Sequence, residues 1–146
     1  MTTSGRKVSG TRVVDATPEE IFAILANPRK HPLLDGSGSV RSPRGATPDR
    51  LVLGSRFSMN MHLFAPYRIT NKVVEFEENR LIAWCHLGGH RWRWELEPVE
   101  GGTRVTETFD WSTARFPPGI ALMRAPERNK ASIEASLSRL EDLLRT

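Results

Sequence analysis

Apolar positions recur at a spacing of two near the start of the chain, then three and four, then two over a long middle stretch, and three and four again at the end. Residues Arg6 to Val14 alternate as a strand does. The stretch "DATPEEIFAILANP" then opens a helix: Thr17 is a capping residue, Pro18 fits the first helical position, and Glu20 stands three after Thr17, giving a capping box. Ile21, Phe22 and Leu25 make its apolar stripe, and Pro28 ends it at Asn27 or just before. A short helical or turn segment, "PRKHPLLD", leads into the Gly/Ser-rich "DGSGS". Residues Val40 to Leu53 mix a short strand with a Pro/Gly/Asp-rich loop, expected to be the most mobile part. From Ser55 to Ser112, turn signals at 65–66, 78–79, 88–89 and 100–102 divide an antiparallel meander of about five strands. After the Pro-rich corner "RFPPGIALMRAP" a long helix is expected from about Glu127, with Ile133, Leu137, Leu140 and Leu144 on one face.

Turns fix register, and register fixes facing. With Glu100 and Gly101 in a two-residue turn, Glu97 faces Arg104, Leu96 faces Val105, Trp94 faces Glu107, Trp92 faces Phe109 and Arg91 faces Asp110. With Gly88 and Gly89 in the preceding turn, Cys85 faces Trp92, Ala83 faces Trp94 and Leu81 faces Leu96. The inner face then holds Leu81, Ala83, Cys85, Trp92, Trp94, Leu96, Val105, Glu107, Phe109 and Trp111. The outer face is a ladder of Arg, Glu, Thr and Asp, with Trp84 laid against Arg93. Glu107 stands out among inner residues: a carboxylate there needs a cationic partner such as Lys72 or Arg68, or lines a pocket, or is turned outward by a one-residue slip at a bulge.

Composition narrows the classes. The 146 residues, 38% hydrophobic and 26% charged, suit a single domain spanning 1–146 with residues 1–5 as a tail. No apolar run is long enough to span a membrane, and "MTTSGRKVSG" lacks a secretory core, so a cytoplasmic location is expected. One cysteine, Cys85, excludes an intramolecular disulfide and a cysteine-based zinc site. The net charge is +4, but arginines are interspersed with acidic residues, and inward-facing tryptophans cannot stack bases beside outward arginines. Nucleic acid is therefore not an expected partner. His86 and His90 straddle the Gly-Gly turn on opposite faces, so no metal and no other cofactor are expected. His31 and Asp35 in "HPLLDGSG" read as turn chemistry or as a gate, and Cys85 as a small buried hydrophobe.

The segments "VDATPEEIFAILANPRKHPLLDGSG" and "WRWELEPVEGGTRVTETFDWS", with the final amphipathic helix, carry a resemblance to the START-like (SRPBCC) superfamily and, within it, to the bacterial polyketide cyclase/dehydrase group. The resemblance covers residues 6 to 145 and implies an α+β helix-grip fold, a curved antiparallel sheet wrapped around the C-terminal helix. It also implies a cavity between them for a small hydrophobic or amphipathic molecule, a lipid or a polyketide-like compound. Met59, Met61, Cys85, Trp92, Trp94, Phe109, Trp111 and Met123 are the expected apolar lining, with Arg68 and Glu107 as polar contacts. If the chain is a cyclase, aromatase or dehydratase, Glu107 is the candidate acid or base, and Tyr67, His62 or Arg68 the groups that would bind a carbonyl or carboxylate. Three functions follow: carriage of a hydrophobic ligand, polyketide-type catalysis, or a regulatory partner-binding module with a collapsed cavity.

Overall fold

The computed structural model describes all residues except 1, 5, 39, 46, 64, 87, 88, 116, 117, 119–124 and 146. The Glu20 amide donates to Thr17 Oγ1 at 3.2 Å and the Thr17 amide donates to the Glu20 carboxylate at 3.3 Å, closing the capping box that starts α1 (Pro18–Leu25). Ile21, Phe22 and Leu25 are buried. A 3-10 turn, Pro28–Lys30, and a single helical turn, α2 (His31–Leu34), follow.

Among the described residues, eight strands form one antiparallel sheet: β1 (Thr2–Ser4), β2 (Lys7–Val14), β3 (Val40–Arg44), β4 (Arg56–Leu63), β5 (Ala65–Glu77), β6 (Leu81–Cys85), β7 (Arg91–Val99) and β8 (Gly102–Asp110). Their spatial order is β1-β2-β8-β7-β6-β5-β4-β3. The last six strands, β3 to β8, run in sequence as a meander, and β2 crosses to pair with β8. Thr2–Ser4, expected to be a tail, pairs with β2 as β1. The final helix, α3 (Ala125–Leu144), lies against β2, β8 and α2, with Ile133, Leu137 and Leu140 fully buried. This is the α+β helix-grip architecture. No described helix is long and apolar enough to cross a membrane.

The β7–β8 register is the one the two-residue turn dictates, from Arg91↔Asp110 through Trp94↔Glu107 to Val99↔Gly102. The β6–β7 register is not. Cys85 pairs with Arg91, Trp84 with Trp92 and Ile82 with Trp94, one residue away from the Gly-Gly expectation. The cause is the connection: the Gly89 amide donates to the His86 carbonyl at 2.9 Å, and His86, Gly89 and His90 lie outside the ladder. A one-residue slip exchanges faces. Ile82 and Trp84 therefore point inward, and Leu81, Ala83 and Cys85 share the outer face with Arg91 and Arg93. On β5 a bulge between Val73 and Glu75 keeps Val73 and Phe76 packed against the core and Glu75 outside.

On that outer face, Arg93 grips Glu75 through two bonds, Nε at 2.9 Å and Nη2 at 2.7 Å, and reaches Asp110 at 3.2 Å; Arg91 joins Glu75 at 2.6 Å. These bonds hold the Glu75 carboxyl below its ordinary range, the Arg93 bond most strongly. Arg93 and Glu75 stand on β7 and β5, so their bridge passes over β6 at Ala83, which is fully buried beneath it. Only a small side chain fits there. Ala83→Leu is expected to part the pair and cost about 2 kcal/mol, read from the denaturant midpoint.

The Val40 to Leu53 region is bonded to the rest of the fold at several points. The Leu51 amide donates to the Ala26 carbonyl at 2.7 Å with its side chain fully buried. Arg29 bonds Asp49 and the Thr47 carbonyl, and Arg50 pairs with Glu78.

Candidate functional site

Between the concave face of the sheet and α3 lies a cavity of about 470 Å³. Three strands give it an apolar wall by simple alternation: Phe57, Met59 and Met61 on β4, Ile69 on β5, and Trp92 and Trp94 on β7. Trp84 and Phe109 complete the aromatic surface, with the Trp92 and Phe109 rings 4.9 Å apart. Arg128, Asn129, Ser132 and Ser136 face the space from α3, and Leu34, Asp35 and Ser37 from the α2–β3 connection.

That connection is seated on α3 without slack. The Gly36 amide donates to Ser136 Oγ at 2.8 Å, and Arg139 donates to the Asp35 carbonyl at 2.7 Å. The Asp35 carboxylate accepts from Ser37 Oγ at 2.6 Å and from the Val40 amide at 3.2 Å, which completes the turn chemistry read from "DGSG".

His31 does more than turn the chain. Its ring stacks on Trp84 at 4.7 Å and meets Phe57 edge-on at 5.3 Å, so it is part of the aromatic wall. Its Nε2 lies 2.9 Å from the Leu25 carbonyl. A carbonyl only accepts, so Nε2 carries a proton and donates it to that bond. Burial lowers the pKa to about 4 against the smaller opposing pull of that bond and of Asp35.

Glu107 sits between Gly10 on β2 and Trp94 on β7, 5% exposed. No ion pair to it is formed by the described residues, and its Oε1 is buried without a hydrogen-bond partner. Lys72 and Arg68 belong to the opposite facing of β5 from Ile69 and Asn71, so neither is on the Glu107 side. Burial, reinforced by the Asp35 charge, holds the Glu107 carboxyl well above its usual range and so favours its protonated form. A second orphan atom, His90 Nδ1, is buried in the same cavity, where the His90 ring leans on Phe109 at 5.2 Å. Burial and the neighbouring His86 lower the His90 pKa to about 4.

Of the residues singled out in the sequence, the cavity brings together Met59, Met61, Tyr67, Trp92, Trp94, Glu107 and Phe109. Tyr67 is 41% exposed at the rim, its pKa raised by partial burial and by Asp35 and eased by Arg128. Four others lie elsewhere. Cys85 is carried to the outer face by the register slip. His62 and Arg68 alternate with Met61, Tyr67 and Ile69 and so face the other way. Trp111 follows β8, packs on the core edge with the Arg6 guanidinium 5.7 Å above its ring, and does not line the cavity. Met123 lies outside the described residues. His86, expected outside, lines the cavity with His90, their rings 4.5 Å apart.

The sequence reading missed Phe57, Ile69, Asn71 and Trp84 as cavity residues. Alternation carried the signal for three of them: Phe57 precedes Met59 and Met61 by steps of two, and Asn71 continues Ile69. For Trp84, side-chain volume was the clue. Ile82 and Trp84 fill an interior that Ala83 and Cys85 would leave open.

Residues 5–145 match the family model described as polyketide cyclase / dehydrase and lipid transport. The chain belongs to this family. An uncharacterized protein of Mycobacterium tuberculosis strain H37Rv, Rv0088, is 46% identical over 142 residues, which cover 93% of this chain and 63% of the relative. The chain thus spans less than two thirds of the length of that curated relative. Among solved structures, a Rhodobacter sphaeroides protein superposes with a TM-score of 0.73 at 21% identity, over 97% of this chain and 93% of the other. The AHSA1-like protein from Aeromonas hydrophila superposes with a TM-score of 0.66 at 20% identity, over 94% and 93%. At these identities the structural likeness speaks to the family fold and not to the contents of the cavity.

Proposed function

We propose that this chain is a cytoplasmic, single-domain carrier that binds a hydrophobic or amphipathic small molecule, of lipid or polyketide-like kind, in the cavity between the sheet and α3. One observation carries the reading: the grip is not filled. Protein interiors rarely leave voids larger than a water molecule, yet about 470 Å³ stays open behind a wall of large aromatic and methionine side chains. That volume falls within the roughly 300–1,000 Å³ of small-molecule sites. It counts against a collapsed regulatory module. The outward arginines beside Trp92 and Trp94 are tied to Glu75 and Asp110, which counts against a nucleic-acid surface. The free thiol of Cys85 suits a reducing compartment.

Native mass spectrometry of the purified protein is expected to show a mass increment that organic extraction removes. The bare mass, together with tryptophan fluorescence indifferent to every apolar probe, would overturn the reading.

Glu107 favours a second reading, catalysis on a polyketide-like substrate. A buried carboxyl held protonated in a ligand cavity is a general acid in waiting, able to protonate a carbonyl oxygen as a carbon–carbon bond forms. Glu107→Gln keeps the shape and the neutral polarity but has no proton to give. If the chain is a cyclase, that variant is expected to lose about a hundredfold in turnover of a poly-β-ketone while binding it undiminished. Equal turnover by both proteins removes Glu107 from the chemistry.

A further inference from the structure

We infer that the cavity selects ligands carrying two uncharged hydrogen-bonding groups, hydroxyl or carbonyl, at opposite ends of a flat apolar body, one read by Glu107 and the other by His90. The inference rests on the cavity being a binding site. Its ground is the placement of two orphan atoms. Glu107 Oε1 and His90 Nδ1 are each buried without a partner among the described residues, and both residues line the same cavity.

Between them lies an aromatic surface. Glu107 and Phe109 are two residues apart on one face of β8, so their side chains leave the sheet roughly 7 Å apart. His90 packs on the far partner of that pair, against Phe109, and Trp92 lies beside it. A fused-ring or similarly flat molecule laid on Phe109 and Trp92 meets a polar atom at each end. Burial keeps the imidazole neutral and favours the protonated carboxyl, which in that form offers an O–H donor, while both groups keep an acceptor. A ligand carboxylate is disfavoured at the Glu107 end, since its charge would be buried where no described cation is paired with Glu107. An apolar ligand leaves two desolvated polar atoms unpaired, which is the larger part of the selectivity.

The test is calorimetric titration of the full chain at neutral pH with three isosteric probes: a dihydroxynaphthalene with its hydroxyls at opposite ends, the matching dimethylnaphthalene, and the matching naphthalene dicarboxylate. The diol is expected to bind about tenfold more tightly than the dimethyl compound, and the dicarboxylate more weakly than either. Glu107→Leu and His90→Phe should each narrow the gap severalfold, and Glu107→Gln should preserve it. The wild-type series decides alone if a variant does not fold. Equal binding of diol and dimethyl compound, or tight binding of the dicarboxylate, overturns the inference and leaves the cavity reading intact. Failure of all three to bind overturns the cavity reading itself.

Discussion

Gly36→Ala is expected to destabilise the protein by about 3 kcal/mol, a fall of roughly 10 °C in Tm, although the change adds one methyl group. Glycine-to-alanine changes elsewhere commonly stabilise by restricting the unfolded chain. Here a Cβ would stand 2.5 Å from the Ser132 carbonyl oxygen, 2.6 Å from the Ala135 Cβ and 2.6 Å from the Ser136 nitrogen. Two of these atoms are helix backbone and none is the end of a flexible side chain, so the connection must lift from α3. Lifting it breaks the Gly36–Ser136 bond and strains the Arg139–Asp35 bond. Ser136→Ala is the control, losing the first bond alone at about 1 kcal/mol. Both are measured by chemical denaturation. An alanine variant as stable as the control would mean that the connection does not rest on the helix. Because Asp35 and Ser37 face the cavity, the alanine variant should also bind apolar probes more weakly.

The second large effect is a loss of stability in acid centred on His31. Its folded pKa is about 4 against an ordinary 6.5, so between those values the unfolded chain takes up a proton that the folded chain refuses. Stability is full above about pH 6.5 and declines as pH falls toward about 4, by about 3 kcal/mol in total. His90, lowered for the same reason of burial, adds to the same limb. Glu107 acts in the opposite sense. The folded carboxyl holds its proton to higher pH than the unfolded one, so its penalty is absent in acid and grows as pH rises from its ordinary range toward its raised value. His31→Phe preserves a ring against Trp84 and removes the titration. Denaturant midpoints across this range should show an acid limb shallower by about 3 kcal/mol in that variant. An unchanged limb would place the titration elsewhere.

What could be read from the chain followed from how local each determinant was. The α1 start is written within four residues from Thr17 to Glu20, and the β7–β8 register within the turn at Glu100 and Gly101. Both were legible. The β6–β7 connection looked like a two-residue turn because Gly88 and Gly89 adjoin, but His86 and Gly89 close a longer one, and the slip moved Cys85 out and Trp84 in. The bulge before Glu75 has no sequence signature; it is revealed by the partners Arg91 and Arg93 that the carboxylate finds on β7. In the cavity, residues on a plainly alternating strand were within reach, whereas His31 as an aromatic wall was not. Its stack on Trp84 joins two elements far apart in sequence, and nothing in "RKHPLLD" announces it.

At Gly10 strand β2 lies close against the last helix: a Cβ there would stand 2.8 Å from Ile133 Cγ2, 3.0 Å from a Glu134 carboxylate oxygen and 3.3 Å from Leu137 Cδ1. The Glu134 and Leu137 atoms are side-chain tips that can yield, but Ile133 Cγ2 branches from the Cβ of a stiff, fully buried side chain and cannot. Residue 10 therefore works as a shim. Its size sets how far the helix stands off the sheet, and with it the headroom above Glu107 on the adjoining strand, so the chamber's capacity can be retuned from a position that never touches the guest.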